Sequence, residues 1–394
     1  MSNSHIHSDS SEPTQVLFLH GGAEMYGADK ILLEIVSNLN REKFLPIVIL
    51  PTAGILTKAL IRENVEVQTL SFPVVRRKYF NALGIIKYAM EYFGASHKIG
   101  KIVRTRSIPI VHVNTTAVWE GVWLYLFTKA RIVWHVHEII THPRIVHKFV
   151  CFLLQHFSDE IIAVSNATKR HLVAGGVDED KIHVIHNGIN GSLVTDVKSV
   201  PASERPVSAR VTVGMIGRVN AWKGQSDFLD AVLPVLGSTA NAYAMIVGSA
   251  FEGEEWRERE LDARISNLPI GIKERVSRQP FQSDVSKIYA QLDVFVLPSI
   301  SPDPFPTVVL EAMANGLPVV AYKHGGVQEM VVENKTGILV EPHNTIELAA
   351  AVQRLVDDRE LRIKMGESAE QRQKQYFELS AFVREVEAVY EGLM

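Results

Sequence analysis

Two carboxylates flank the start of a predicted helix in the second half of the chain. The helix is predicted to begin near Pro306, because the missing amide proton of proline suits a first helical turn. Thr307 and Val308 then present free backbone amides at the positive end of the helix dipole, where an anion can bind. Asp303 precedes these amides and Glu311 follows them, and carboxylates accept paired hydrogen bonds from vicinal diols. The pattern suits a phosphate between two hydroxylated rings; the alternative is an ordinary helix start whose Glu311 pairs with a base elsewhere.

Two basic residues are predicted to approach the same place from another strand. Arg218 follows the end of the predicted strand Val211–Ile216, and Lys223 opens the next helix. Two cations that converge on a diphosphate neutralise the charge that develops as it departs. On its own this spacing also fits a surface pair, and it gains force only together with the first motif.

A histidine with a neighbouring carboxylate follows a strand in the first half of the chain. His137 and Glu138 come directly after the predicted strand Ile132–Val136. A carboxylate beside a histidine can fix the tautomer of the imidazole and raise its pKa. One alternative is a satisfied core histidine. Another is a metal pair formed by His135 and His137, although no further His or Asp set with ligand spacing accompanies them.

Short apolar runs alternate with stretches of helical period along most of the chain. Such alternation indicates parallel sheets with helices on both faces, a doubly wound α/β fold. The predicted strands are Gln15–His20, Pro46–Leu50, Val65–Leu70, Ile110–Val113, Ile132–Val136, Ile161–Val164, His183–Ile185, Val211–Ile216, Tyr243–Val247, Val294–Leu297, Pro318–Ala321 and Ile338–Val340. Ligands bind beyond the carboxyl ends of the strands in such sheets, so we expect the site in the cleft between two similar domains.

A stretch rich in proline and serine, without apolar period, divides the chain in two. We predict a disordered leader at residues 1–14, an N-terminal domain at 15–190, a linker at 191–210, a C-terminal domain at 211–375 and a terminal helix at 376–394. The total of 394 residues is sufficient for two domains that each bury their own core.

The composition excludes several classes of protein. The single cysteine, Cys151, cannot form a disulfide within the chain or a Cys-rich metal cluster. The first fifteen residues contain no apolar stretch behind a basic start, and no run approaches eighteen apolar residues. We therefore expect a soluble, cytoplasmic α/β protein without a secretory signal or a bilayer-spanning helix.

The chain resembles the retaining glycosyltransferases of family four, which have the GT-B fold. The motifs of the C-terminal half follow that family in order and spacing through residues 211–345, and the N-terminal half adds two more. They are Gly217-Arg218, Lys223-Gly224, Asp293–Ser299, Leu310–Ala314, Gly316–Ala321, Gly325–Glu329, Gly337–Val340, Val164–Thr168 and Ile185–Asn190. The resemblance implies two Rossmann-like domains facing a central cleft, a nucleotide-sugar donor on the C-terminal domain, an acceptor on the N-terminal domain, and no metal or other cofactor. It also implies that the terminal helix crosses back to the N-terminal domain.

The resemblance assigns roles to individual residues. Arg218 and Lys223 would bind the diphosphate, and Glu311 would hold the ribose hydroxyls. Asp303 takes the place of the family's first glutamate, near the donor sugar, and is one methylene shorter. His137 would contact the donor sugar and the reacting centre. The implied catalytic set is His137, Arg218, Lys223 and Asp303, and the other implied substrate-binding residues are Gly27, Phe305, Pro306, Thr307, Val308 and Glu311.

The glycine loop before the first helix has two registers. The segment Gly27–Lys30 fits the family's glycine loop best, which makes Gly27 the glycine that approaches the donor phosphate and sugar. The competing register gives this role to Gly21 and Gly22. We expect the role to fall to Gly27.

Two stretches of the N-terminal half combine basic and apolar residues. Residues 74–106 contain eight Lys or Arg against one acid, Glu91, with apolar residues between them, and residues 144–157 repeat the combination. Such helices can rest on an anionic membrane surface, although a solvated helix face explains the pattern equally well. Nucleic-acid binding is disfavoured because the domain as a whole is not strongly basic.

We therefore expect a retaining glycosyltransferase that uses a nucleotide-diphospho-sugar and a glycan or lipid-linked acceptor, in cell-surface polysaccharide or lipopolysaccharide synthesis. If membrane-bound, it would be peripheral on the inner face of the cytoplasmic membrane. Three alternatives stay open. A sugar-nucleotide epimerase of the same fold would need no acceptor, and a pyridoxal-dependent phosphorylase would need a cofactor lysine for which no motif is apparent. A non-catalytic sugar-nucleotide-binding protein is favoured only by the departure at Asp303.

Overall fold

The computed structural model describes residues 12–76, 79, 81–191, 210–282 and 284–394. These residues form two parallel sheets of seven and six strands, each covered by helices. Most of the leader predicted for residues 1–14, and of the linker predicted for residues 191–210, lies outside the described ranges.

The first sheet has the strand order β3-β2-β1-β4-β5-β6-β7. Its strands are β1 (Thr14–Leu19), β2 (Phe44–Leu50), β3 (Glu66–Thr69), β4 (Ile110–Val113), β5 (Arg131–Val136), β6 (Glu160–Ala163) and β7 (Ile182–Val184). The helices between them are α1 (Gly27–Asn38), α2 (Ile55–Arg62), α3 (Ala82–Thr105), α4 (Glu120–Phe127), α5 (Arg144–His156) and α6 (Asn166–Ala174).

The second sheet has the strand order β10-β9-β8-β11-β12-β13. Its strands are β8 (Val211–Ile216), β9 (Ala242–Val247), β10 (Val276–Gln279), β11 (Val294–Leu297), β12 (Val319–Tyr322) and β13 (Gly337–Val340). The helices are α7 (Gln225–Ser238), α8 (Trp256–Ser266), α9 (Ile270–Lys273), α10 (Ser286–Tyr289), α11 (Thr307–Ala314), α12 (Val327–Met330), α13 (Thr345–Asp357), α14 (Arg359–Tyr376) and α15 (Leu379–Glu391).

The central strands are largely buried and mostly apolar, because both faces of each sheet are covered. In β1, Leu17 and Leu19 belong to a buried cluster on one face of the sheet, and Val16 and Phe18 belong to a second cluster on the other face. Every strand pair within the two sheets is parallel in the described part of the chain. The predicted fold class, two doubly wound α/β domains, is confirmed.

Each sheet reverses its strand order once, between β1 and β4 in the first and between β8 and β11 in the second. Loops that leave neighbouring strands at such a point run to opposite faces of the sheet and leave a crevice between them. The segments that follow β1, β4, β8 and β11 are therefore the natural positions for a ligand site.

The last helix returns to the first sheet. Phe382, Val386 and Tyr390 of α15 belong to the same buried cluster as Val16 and Phe18 of β1. The Tyr390 hydroxyl also hydrogen-bonds His112 Nδ1 at 2.8 Å. The chain thus builds the N-terminal domain, then the C-terminal domain, and then completes the core of the first. Among the described residues, no helix is both long enough and apolar enough to cross a membrane.

Candidate active site

Residues of both domains meet at the start of α11. Gly27 begins α1 directly opposite Thr307, so that a side-chain carbon at Gly27 would lie 3.5 Å from Thr307 Oγ1. The ring of Tyr26 packs against Phe281 of the C-terminal domain with 4.8 Å between ring centres. The structure therefore places Gly27, the preferred register of the glycine loop, against the predicted anion site. Gly21, from the competing register, packs instead against Val74 and Val118.

Helix α11 begins at Thr307, with Pro306 at its N-cap, close to the predicted start. The Val309 amide donates to the Pro306 carbonyl at 3.0 Å. Thr307 and Val308 occupy the first turn, where backbone amides lack an intrahelical acceptor. Both residues lie on the side of the helix that faces Gly27 and Lys30, among the residues that line a cleft between the domains.

Both predicted carboxylates are held by a lysine and a hydroxyl group. The Asp303 carboxylate accepts hydrogen bonds from Lys223 Nζ at 2.7 Å and from Ser299 Oγ at 2.5 Å. Glu311 accepts from Lys30 Nζ at 2.7 Å and from the Tyr289 hydroxyl at 2.9 Å. Glu311 does pair with a base, as the structural alternative supposed, but this base lies across the cleft on the N-terminal domain.

Arg218 reaches from the C-terminal domain to the N-terminal domain. Its guanidinium carbon lies 3.4 Å from the ring centre of Tyr26 and 3.7 Å from that of Phe251, and Nη2 donates to Glu24 at 3.0 Å. Two aromatic faces and a carboxylate therefore fix the orientation of the cation. Arg218 and Lys223 both extend into the crevice beyond β8, where the sequence predicted them.

His137 follows β5, but its environment differs from the prediction. The carboxylate of Glu138 is bound by Thr115 Oγ1 and by the Thr116 amide and hydroxyl, so it fixes a neighbouring loop and not the His137 ring. Burial among other histidines, chiefly His20, lowers the pKa of His137 to about 3. The expectation of a raised pKa is therefore wrong, because the carboxylate is used elsewhere and burial disfavours the imidazolium.

The metal-pair alternative gains no support from the surroundings of His135. Its ring lies 4.1 Å from that of His137, and both of its nitrogens are buried without a hydrogen-bond partner. Within the described ranges, no group of three His, Cys, Asp or Glu side chains could hold a metal ion.

Phe305 points away from the cleft. Its ring is buried, stacks on His186 with 4.9 Å between ring centres, and contacts Phe377. His186 also hydrogen-bonds Glu329, which caps the start of α6 through the Asn166 amide. Phe305 therefore supports the contact between the domains through its ring.

Several residues at the site escaped the sequence analysis. Lys30 and Tyr26 flank Gly27 and could have been noticed from that proximity. Tyr289 lies on a four-residue helix that carries no motif, and Phe251 lies in a loop after β9. Their contribution depends on how the two domains face each other, which a sequence pattern does not encode.

The two facing Rossmann-like domains define the GT-B class. The Anabaena protein HepE, solved in complex with UDP and glucose, has the same fold with a TM-score of 0.82 at 24% identity, over 96% of this chain and 99% of that one. Residues 27–192 match the family described as Glycosyltransferase Family 4, and residues 198–372 match the family described as Glycosyl transferases group 1. Each half of the chain is thus similar to a glycosyltransferase domain, the first to one of Family 4 and the second to one of group 1.

Curated relatives agree with this assignment over part of their length. An uncharacterized glycosyltransferase of Methanocaldococcus jannaschii is 30% identical over 219 residues, 52% of this chain and 53% of that protein. A D-inositol 3-phosphate glycosyltransferase of Corynebacterium efficiens is 30% identical over 204 residues, 49% of this chain and 46% of that protein. The matched part thus spans about half the length of these relatives.

Proposed function

We propose that the chain is a retaining glycosyltransferase that moves a sugar from a nucleotide-diphospho-sugar to a glycan or lipid-linked acceptor. The observation that carries the proposal is the set of groups around the start of α11, where helix amides, Arg218, Lys223, Asp303 and Glu311 meet at the crevice between the domains. We propose UDP as the nucleotide, since HepE has been solved both with UDP and glucose and with UDP-glucose.

The two carboxylates have the acceptor capacity that hydroxylated rings require. An ionised carboxylate offers about four lone-pair positions. Glu311 uses one for Lys30 and one for Tyr289, and Asp303 uses one for Lys223 and one for Ser299. Each carboxylate therefore keeps two positions, the number that a vicinal diol fills. In the proposal, Glu311 takes the two ribose hydroxyls and Asp303 takes hydroxyls of the donor sugar.

The diphosphate would lie at the amides of Thr307 and Val308, between Arg218 and Lys223. In the reaction, the bond from the anomeric carbon to the phosphate oxygen breaks and the acceptor oxygen bonds to the same face of the sugar. The acceptor proton passes to the departing diphosphate. Arg218, Lys223 and the amides stabilise the charge on the leaving group, the task that a divalent ion performs in other transferases. The proposal assigns both carboxylates to the hydroxyls of the donor and none to nucleophilic attack, so we expect front-face transfer without a covalent intermediate.

The site can be tested by binding. We expect UDP or UDP-glucose at one hundred times its dissociation constant to stabilise the protein by about 2.7 kcal/mol, because a ligand that binds only the folded state shifts unfolding by mass action. Glu311→Gln should weaken binding at least tenfold, since the neutral amide replaces one acceptor oxygen by a donor. Thermal unfolding with UDP, UDP-glucose and GDP-mannose, followed by transfer assays with lipid-linked glycan acceptors, provides the measurement.

Glu274→Gln serves as the control, since Glu274 is exposed on the C-terminal domain away from the cleft. Stabilisation of the wild type by none of the nucleotides would overturn the proposal. Conversion of a sugar nucleotide without any acceptor would replace it by an epimerase.

The acceptor would approach over the N-terminal domain. Exposed apolar side chains of α3 and α5 lie on either side of Trp119, which contacts Tyr88 of α3 and Phe149 of α5. This surface, called here the α3–α5 face, comprises Leu83, Ile86, Met90, Phe93, Ile145 and Phe152. Exposed Lys87, Lys98, Lys101, Arg104, Arg144 and Lys148 belong to the same two helices. Apolar and cationic side chains together favour an anionic lipid surface, and hence a lipid-linked acceptor in cell-surface polysaccharide or lipopolysaccharide synthesis.

Flotation with liposomes tests the membrane part of the proposal. We expect the protein to float with vesicles that contain phosphatidylglycerol and to do so much less with pure phosphatidylcholine, because each Lys or Arg near an anionic surface contributes about 1 kcal/mol. Ile86→Glu with Phe93→Glu should reduce the bound fraction at least tenfold. Ile270→Glu, which adds a charge at an equally exposed position of the C-terminal domain, should leave it unchanged. Flotation that ignores the anionic lipid content would contradict the proposal.

A further inference from the structure

Four polar side chains behind the cleft are joined one to the next by hydrogen bonds. This series, the Asp29–His137 network, consists of Asp29, His20, Asn114 and His137. His20, Asn114 and His137 follow the neighbouring strands β1, β4 and β5, and Asp29 lies in the first turn of α1. His20 is 3% exposed, Asp29 6% and Asn114 0%. Because solvent does not reach the first three members, each hydrogen bond has one permitted direction, and the proton positions can be derived.

The first member of the Asp29–His137 network is the carboxylate of Asp29. Asp29 Oδ2 accepts from the amides of Met25 and Tyr26 at 2.9 and 2.8 Å, and Oδ1 lies 2.6 Å from His20 Nε2. Burial alone would raise the pKa of Asp29, but the hydrogen bonds from His20 and these amides lower it below its usual value. Asp29 is thus ionised and can only accept, so His20 carries a proton on Nε2.

The orientation of the Asn114 side-chain amide is fixed by a backbone carbonyl that is not a member of the Asp29–His137 network. Its side-chain Nδ2 lies 3.3 Å from the carbonyl oxygen of Ala28, which can only accept. The same Nδ2 lies 3.1 Å from His20 Nδ1, the ring nitrogen that does not face Asp29. The Ala28 carbonyl therefore requires the amide nitrogen on this side and Oδ1 on the other, and Nδ2 then donates to His20 Nδ1.

The consequence reaches His137. Asn114 Oδ1 lies 3.2 Å from His137 Nε2, and a carbonyl oxygen accepts, so Nε2 carries the proton. Burial lowers the pKa of His137 to about 3, which keeps the ring neutral at physiological pH. The remaining nitrogen, Nδ1, is then an acceptor. His137 is half-buried, and among the described residues the hydrogen bond of its ring is the one through Nε2 to Asn114.

We propose that Asn114, His20 and Asp29 are positioning residues that hold His137 as the neutral Nε2–H tautomer, so that Nδ1 accepts a hydrogen bond from a hydroxyl of the donor sugar. The inference rests on the proposed function, to which it adds a selection rule. A hydroxyl satisfies Nδ1, whereas a carboxylate at the same place, as in a uronic acid, would oppose lone pair to lone pair. Such a site rejects the wrong group because its own polar atom would stay unpaired.

The glycine loop is hydrogen-bonded to a member of the same network. Asp29, the first member of the network, also accepts hydrogen bonds from the amides of Met25 and Tyr26, just before Gly27. A side-chain carbon at Gly22 would lie 2.6 Å from Asp29 Oδ1, so this glycine permits the close approach. The position of Gly27 against α11 and the proton position on His137 therefore depend on one carboxylate.

The proton position can be measured on the wild-type protein without any reaction. Two-dimensional NMR of protein with nitrogen-15 in its histidine rings distinguishes the two tautomers, and His137→Gln assigns the signal. We expect His137 to show a proton on Nε2 and a bare Nδ1 at pH 7. A proton on Nδ1, or rapid exchange between tautomers, would overturn the inference. This result is independent of whether sugar transfer is observed.

A pH profile tests the role in turnover. The titratable groups around His137 are His20, His112, His135, Asp29 and Glu138, whose carboxylate accepts a hydrogen bond from the His137 amide. Asn114→Asp keeps the shape of the side chain but places a carboxylate beside Nε2, which raises the pKa of His137. Below that pKa the ring is an imidazolium and Nδ1 donates instead of accepting. We expect kcat of Asn114→Asp to fall at least tenfold at pH 6 and to recover as the pH rises. The kcat of the wild type should show no such fall at pH 6.

Lys43→Gln is the control, because Lys43 forms only an exposed pair with Glu391. A loss of kcat in Asn114→Asp that is equal at every pH would refute the positioning role, since a merely structural defect has no reason to reverse with pH. If the NMR result holds but no sugar is transferred under any condition, the proposed function fails while the tautomer assignment stands.

Discussion

Arg218→Ala is expected to lower turnover by on the order of a hundredfold or more, comparable to the loss of one oxyanion donor. Arg218 is the cation whose orientation is most completely fixed, because the rings of Tyr26 and Phe251 sandwich its guanidinium and Glu24 holds one of its nitrogens. A fixed cation needs no reorganisation when charge develops on the leaving diphosphate. The loss should therefore appear in kcat more than in the donor KM, as steady-state kinetics with UDP-glucose would show.

Arg210→Ala provides a matched control at the opposite end of the same strand. Arg210 precedes β8, lies over the ring of Tyr243 at 3.9 Å and bonds Thr212, so its removal also deletes a cation–aromatic contact. It should leave kcat unchanged. Arg218→Lys should recover only part of the activity, since an ammonium neither stacks nor binds two oxygens at once. Near-normal turnover of Arg218→Ala would refute the assignment of this residue.

Glu120→Gln is expected to gain stability relative to the wild type as the pH rises from 5 to 8. Glu120 begins α4, is fully buried, and neither of its carboxyl oxygens has a hydrogen-bond partner among the described residues. Burial raises the pKa of Glu120 to about 8, and the nearby Tyr88 and Tyr92 offer no positive charge. The folded protein thus keeps this proton at pH values where the unfolded chain has lost it.

The sign of the pH dependence follows from that difference. Between the ordinary pKa of glutamate and about 8, the folded state binds more protons than the unfolded state, so Glu120 makes stability fall as the pH rises. Glutamine stays neutral throughout. From pH 5 to pH 8 the advantage of Glu120→Gln should grow by about 3 kcal/mol, since one pKa unit corresponds to about 1.4 kcal/mol.

Urea unfolding of both proteins at pH 5, 6, 7 and 8 measures this effect. Glu63→Gln is the control, because Glu63 is exposed and its removal should shift all four midpoints equally. If the advantage of Glu120→Gln were the same at pH 5 and pH 8, Glu120 would have to be ionised in the folded protein.

The fold was predictable because the central strands are short, mostly apolar runs, which a sheet covered on both faces requires. The predicted strands Ile110–Val113, Val211–Ile216 and Val294–Leu297 agree with the structure to the residue. The strand β10 was missed. Its sequence, Val-Ser-Arg-Gln, is only half-buried at the edge of the sheet, so it lacks the apolar signal. A strand stabilised by one neighbour alone leaves little trace in composition.

The site was predictable only for residues at strand ends and at the start of α11. Arg218, Asp303 and Glu311 follow β8 or β11, and the parallel sheet brings such positions to one edge. Lys30 and Glu24, which bind two of these residues, belong to the other domain. Their position depends on how one rigid sheet is oriented against another, and no local pattern records that angle. The error about Glu138 has another origin, since its partners Thr115 and Thr116 follow β4, the neighbouring strand of the same sheet.

The return of α15 to the first sheet has a consequence for the integrity of the molecule. Leu379, Phe382 and Val386 belong to the buried cluster over β1 that α1 and α2 also help to form. A fragment ending before residue 379 would lack these apolar side chains. The remaining residues of the cluster would then be exposed to water. Conversely, a protease cut between β7 and β8 would not release two independent domains. Helix α15, which is covalently attached to the C-terminal domain, would still pack against the first sheet.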